Sequence, residues 1–116
     1  MKKIVAIVLT ISVLWMALPL LAAESSWLVG KWELSYDPDG NEKDWLEFTN
    51  EGQAVSISPN GRRVQGQYVV TDSEIDITFR FNGKTIPMKL KYTADKKKLL
   101  AYSKRTGNSS EYQKLK

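Results

Sequence analysis

Glu74-Ile75-Asp76-Ile77-Thr78-Phe79-Arg80-Phe81 is the stretch on which the fold turns. Ile75, Ile77, Phe79 and Phe81 alternate without a break against Glu74, Asp76, Thr78 and Arg80, and a period of two puts the apolar set on one face of a strand and the polar set on the other. Asn82-Gly83 follows, a pair that accepts positive φ at low cost and so reverses the chain in a tight hairpin. The returning segment carries Ile86, Met88, Leu90 and Tyr92 on the apolar parity and Pro87, Lys89 and Lys91 on the other. A proline there favours a bulge or a sheet edge.

The same grammar extends in both directions. Upstream, Val64, Gly66, Tyr68 and Val70 oppose Arg63, Gln65 and Gln67; Pro59-Asn60-Gly61 is a turn, and before it residues 54–58 place Val55 and Ile57 on the apolar parity. Leu46 and Phe48 mark a strand over residues 45–49, closed by Asn50-Glu51-Gly52. The first strand sets Leu28, Gly30, Trp32, Leu34 and Tyr36 against Lys31, Glu33 and Ser35, and Asp37-Pro38-Asp39-Gly40-Asn41 turns it. Downstream, Ala94-Asp95-Lys96-Lys97 turns into residues 98–103 with Leu100 and Tyr102 inward, and a last strand covers residues 111–115. About eight short strands joined by tight turns make an all-β, antiparallel up-and-down meander. No amphipathic helix is available to cover its apolar face, so the sheet closes on itself as a small barrel, with a two-sheet sandwich as the competing closure.

The 116 residues divide into an export signal and one domain. Residues 1–23 have a positive start at Lys2 and Lys3, an apolar run from Ile4 to Leu18, and Pro19-Leu20-Leu21-Ala22-Ala23 ahead of the expected cut, which leaves a domain of residues 24–116 in the periplasm or the medium. The apolar run is also long enough to serve as an uncleaved anchor. Membrane contact is expected only through this segment. With no cysteine there is neither a disulfide nor a thiolate metal site, and a core of this size leaves little volume for a ligand.

Charge and residue type narrow the function. There are 17 basic and 13 acidic residues, and losing Lys2 and Lys3 leaves 15 against 13. Acids gather between Glu33 and Glu51, and Lys and Arg dominate from Arg80 onward. Because the lysines alternate with apolar residues along strands, they read as a solvated face rather than a nucleic-acid surface. The absence of His and Cys removes the commonest general base and the most reactive nucleophile, so the chain is read as a binder and not an enzyme, with no cofactor. Asp37-Pro38-Asp39-Gly40-Asn41-Glu42-Lys43-Asp44 has the oxygen ligands that hard cations take, but not the spacing of a helix-loop-helix calcium site. It reads as a hairpin loop, and no metal site is expected.

Gly30-Lys31-Trp32, directly after Trp27-Leu28-Val29, resembles the G-x-W that opens the first strand of lipocalins and their relatives. That resemblance implies an up-and-down barrel closed at one end by Trp32, with a basic side chain near the last strand, Lys104 or Arg105, packed over it. No helical turn is identifiable before Gly30. The implied function is the binding of a small apolar or amphipathic molecule, and Trp32, Tyr68, Phe79, Tyr92 and Tyr102 are the candidate ligand residues, with tyrosine hydroxyls to orient the ligand. Trp27 and Trp45 fall off the inward parity near strand starts and are candidates for contact with an envelope protein. Lys104 and Arg105 join them, since residues 104–112 are similar to the loop that envelope lysozyme-inhibitor barrels use against their targets. An inhibitor or immunity protein is therefore the second expectation.

Overall fold

A computed structural model describes residues 25–116; the expected signal segment, residues 1–23, lies outside the described residues. After a 3₁₀ turn at Ser26–Leu28, eight strands follow in order: β1 Gly30–Tyr36, β2 Trp45–Phe48, β3 Gln53–Ile57, β4 Arg63–Val70, β5 Glu74–Phe81, β6 Lys84–Tyr92, β7 Lys98–Tyr102 and β8 Ser109–Lys114. Each pairs antiparallel with the next, and β8 returns to β1 through Trp32 with Lys114 and Leu34 with Tyr112. The meander is thus a closed barrel and not a sandwich, and closure removes most of the unpaired edge that an open sheet exposes.

The β5–β6 hairpin forms as its alternation requires: Asn82 and Gly83 take φ of 52° and 73°, and Ile75, Ile77 and Phe79 pair with Leu90, Met88 and Ile86. Inside the barrel Trp32, Phe48, Leu28, Leu46, Ile75, Ile77, Leu90 and Leu99 are almost wholly buried. Two small residues separate two large ones around one level, where Phe48 pairs with Ala54, Ala54 with Gly66, and Gly66 with Phe79. Two aromatic rings share that level because two near-absent side chains stand between them.

This level also explains a reversed face. Val55 and Ile57, expected inward, point outward, and Ala54 and Ser56 point in, since register puts Ala54 opposite Phe48, where a valine would collide with the ring. Outside, Val55 and Ile57 are still covered: Ile57 pairs with Trp45, and the Arg63–Glu47 ion pair at 3.0 Å lies beside them. The second reversal is β7. Leu99 and Ala101 point in and Leu100 and Tyr102 out, because Leu99 pairs with Tyr92 on one side and Tyr112 on the other, both inward residues. Tyr102, 63% exposed, is therefore on the outer wall.

Candidate functional site

One end of the barrel is shut. The 3₁₀ turn before β1, not evident in the sequence, lies across it with Leu28 fully buried, and the Trp32 indole N–H donates to the Leu28 carbonyl at 2.9 Å. Trp27 stands edge-on to Trp32 with centroids 6.2 Å apart and tilts against Tyr92 at 5.0 Å. The Tyr92 hydroxyl shares its proton between the carbonyls of Thr71 and Asp72, at 2.9 and 2.8 Å. Trp27 is thus part of the plug rather than an open rim.

The basic side chain of the last strand at this end is Lys114, not Lys104 or Arg105, and Lys96 of the β6–β7 turn stands 5.7 Å over the Trp27 ring. Lys104 and Arg105 precede β8 and sit in the turn at the opposite end, whereas β8 runs toward the plug and brings Lys114 level with Trp32. Lys114 Nζ donates to the Trp27 carbonyl at 2.9 Å, and its stem fills the space beside Gly30, where a Cβ would fall 2.8 Å from Lys114 Cε. Gly30, at φ 133°, serves both the backbone and this approach. Truncating the exposed Lys114 to alanine is expected to lower stability by about 1 kcal/mol, measured by urea unfolding, and Lys114→Met to recover part of that by restoring the stem.

Tyr68 belongs to the same half of the barrel. It meets Phe48 edge to face at 5.1 Å, its hydroxyl donates to the Thr49 carbonyl at 2.5 Å, and burial pushes its phenol pKa up. The five candidate ligand residues are therefore not brought together: Trp32 and Tyr92 belong to the plug, Tyr68 stands beside Phe48, Phe79 faces the other end, and Tyr102 is outside.

The other end carries the loops after β1, β3, β5 and β7. Two of them are laced together, with Asp39 accepting from the Thr106 hydroxyl at 2.8 Å and the Asn108 amide at 2.7 Å, and Asp37 accepting from the Ser110 hydroxyl at 3.3 Å. Asp37 also accepts the backbone N–H groups of Asp39 and Asn41, and these hydrogen bonds, that from Asp39 foremost, hold its pKa below the usual value. Asp44 accepts from the buried Tyr112 hydroxyl at 2.9 Å. Desolvation raises the Asp44 pKa, opposed by that hydrogen bond, and burial beside Asp44 raises Tyr112. The acidic stretch thus builds loops, and among the described residues no His, Cys, Asp or Glu group converges to hold a metal.

Removing the Tyr112 hydroxyl tests this lacing. Tyr112→Phe leaves the half-buried Asp44 carboxylate without its side-chain donor and should lower stability at pH 7 by about 1–2 kcal/mol. The variant raises the folded-state pKa of Asp44 further, so the deficit should narrow as pH falls through that raised value toward 3.8, where the neutral acid needs the donor less. Urea unfolding at pH 7 and pH 4 reads both numbers.

Facing the laced loops across the mouth is the end of the β5–β6 hairpin. Phe81, Ile86 and Met88 lie on the inward parity there, but Ile86 is 45% exposed and Phe81 and Met88 only partly buried. Phe79, at 6% exposure, is the floor beneath them, and the Arg62 guanidinium lies 4.5 Å over the Phe81 ring. These are apolar groups turned inward where the wall no longer covers them. Sequence periodicity missed Ile86 and Met88 as site residues because it gives mouth and core the same parity; the available signal was the contrast between a nine-residue β6 and a five-residue β7.

On the outer wall, Trp45 pairs with Ile57 and has the Lys31 ammonium 5.7 Å from its ring centroid. A groove of about 1000 Å³ follows the outer side of β5, β6 and β7, lined among others by Pro87, Lys89, Leu100, Tyr102 and Lys104. Lys104 and Arg105 are exposed beside its end. Compared with protein families, with curated proteins and with solved structures, the chain gives no match.

Proposed function

We propose that the protein is an exported, non-catalytic, lipocalin-like barrel that takes the end of a small apolar or amphipathic molecule into its open mouth. The observation that carries this reading is Ile86, an inward-facing residue left 45% exposed next to the partly buried Met88 and Phe81. Apolar side chains that face inward and stay wet are what a ligand covers. The opposite end supports the lipocalin-like character through Trp32 of Gly30-Lys31-Trp32, the turn across it and Lys114 from the last strand. Relative to the sequence expectation of Trp32, Tyr68, Phe79, Tyr92 and Tyr102, this reading keeps Phe79 and replaces the other four by Phe81, Ile86 and Met88.

The site is small. Trp32, Leu46, Ile75, Ile77 and Leu90 fill the barrel beneath it, so the ligand enters by one end and leaves its polar part at the rim. Arg62, Arg80 and Lys84 stand around that rim and favour a ligand whose polar part is acidic.

Binding of an anionic naphthalene dye tests the reading, followed by its fluorescence. Ile86→Glu should weaken binding by about tenfold, or roughly 1.4 kcal/mol, with the urea midpoint unchanged because Ile86 is already exposed. Unaltered binding by both Ile86→Glu and Met88→Glu would remove the mouth from consideration. Native mass spectrometry of the protein recovered from its host adds a second check, in which a bound mass of a few hundred daltons supports the reading and a second polypeptide favours the inhibitor or immunity alternative.

A further inference from the structure

β6 outruns its neighbour. It pairs with β7 only where Leu90, Lys91 and Tyr92 meet Ala101, Leu100 and Leu99, while its pairing with β5 extends to Lys84. Residues 84–89 are therefore held on one side and, among the described residues, have no strand on the other. A two-residue turn closes on a hydrogen-bonded pair, here Phe81 and Lys84, and antiparallel ladders alternate from there. The backbone groups of Lys84, Ile86 and Met88 thus point to β5, and those of Thr85, Pro87 and Lys89 point to the open side. Pro87 fits this assignment, since its missing N–H falls where β5 has no use for it. The edge offers two carbonyls, from Thr85 and Pro87, and two N–H groups, from Thr85 and Lys89; the Lys89 carbonyl is where the ladder to β7 ends, since the pairing of Leu90 with Ala101 turns it to the Tyr102 N–H.

The side chains along this edge sort by face. Ile86 and Met88 point in and are incompletely covered; Thr85, Pro87 and Lys89 point out. The groove along the edge is bounded on its far side by Ala101, Tyr102, Lys104 and Ser109. Lys84, Lys104 and Arg105 are exposed and in no ion pair among the described residues, while Glu74 and Asp76 on the far side of β6 are already bridged to Lys89 at 3.6 and 3.8 Å.

We propose that residues 84–89 accept one extended segment of a partner polypeptide as an added strand, and that the segment alternates apolar and acidic residues. Its apolar side chains cover Ile86 and Met88, and its acidic ones meet Lys104 and Arg105. A second copy of the chain is the wrong occupant, because joining two such edges sets lysine against lysine and places a donorless Pro87 in each strand of the new ladder. The added strand does not rest on the small-ligand reading, and its test reads backbone amides rather than the dye.

Amide hydrogen exchange read by NMR is the experiment. In the free protein the Thr85 and Lys89 amides should exchange at least about a hundredfold faster than those of Ile86 and Met88, which β5 holds. A blocked heptapeptide of alternating Val and Glu, at millimolar concentration, should slow Thr85 and Lys89 by about tenfold or more, and the same peptide with Lys in place of Glu should not. Thr85→Pro, which removes a donor from the open side alone, should keep the circular dichroism spectrum and lose the peptide's protection of Lys89. The proposal is overturned if Thr85 and Lys89 are already protected in the free protein, if their protection grows with protein concentration and so reports a second copy, or if the Val/Glu peptide leaves both amides unchanged.

Discussion

Trp32→Ala should destabilise the barrel by about 3–5 kcal/mol, enough to leave a domain of this size marginal at room temperature. Trp32 is 1% exposed, pairs with Leu46 on one side and Lys114 on the other, and holds the 3₁₀ turn through its indole N–H to Leu28. Truncation removes that volume from a packed end and strands the Leu28 carbonyl, which adds to the cavity term. Trp27 would lose the face it packs on, and with it the contact that ties Tyr92 to the plug. Trp32→Phe restores most of the volume but not the donor, and should fall between wild type and alanine. The urea midpoint of each variant measures the ordering, with the slope unchanged if the transition remains two-state. A loss below about 1 kcal/mol for Trp32→Ala would mean that the plug is held by something other than Trp32.

The plug and the mouth differ in how far they can be read from the chain, and the difference is one of register. β5 and β6 are legible because strict alternation meets an Asn-Gly turn, so pattern and turn chemistry fix the same faces. Trp32 is legible as a closing residue through Gly30-Lys31-Trp32. Its partner is not, because the reach of Lys114 depends on how β8 aligns with β1, a pairing that for Trp32 and Lys114 joins residues 82 positions apart and that no local signal encodes.

β3 and β7 fail for a more local reason. Ala54-Val55-Ser56-Ile57 and Leu99-Leu100-Ala101-Tyr102 each hold apolar residues at adjacent positions, so either parity buries something. Hydrophobicity alone chose Val55 and Tyr102 for the interior, and volume chose otherwise: opposite Phe48 and beside Gly66 only a residue as small as Ala54 fits, and between Tyr92 and Tyr112 the inward place goes to Leu99. The mouth follows from the same pairings. With β7 stopping at Tyr102, Ile86 and Met88 lose the neighbour that would have made them core, and both the proposed ligand site and the proposed added strand arise from that shortfall.

Gly66→Ala should lower stability by about 3 kcal/mol, an unusual loss for a single methyl group. A Cβ at Gly66 would meet the Thr78 carbonyl oxygen and stand 2.9 Å from both Phe79 Cα and Phe79 Cδ1. Two of these three atoms are backbone of the paired strand, so a rotamer change cannot clear them, and β4 and β5 must part at this pair. Gly66 has no positive φ among those of the chain's glycines, so the loss reports sterics and not backbone conformation. Phe79→Leu in the same chain discriminates the contributions. If the ring edge were the main obstacle, the double variant would recover most of the loss; with the backbone as the obstacle, recovery should stay below about 1 kcal/mol on a double-mutant cycle. Because Phe79 floors the mouth, Gly66→Ala should also shift Phe79 toward Ile86 and weaken dye binding at temperatures where the variant is still folded. Gly66 would then couple the packing of the β4–β5 seam to the site above it.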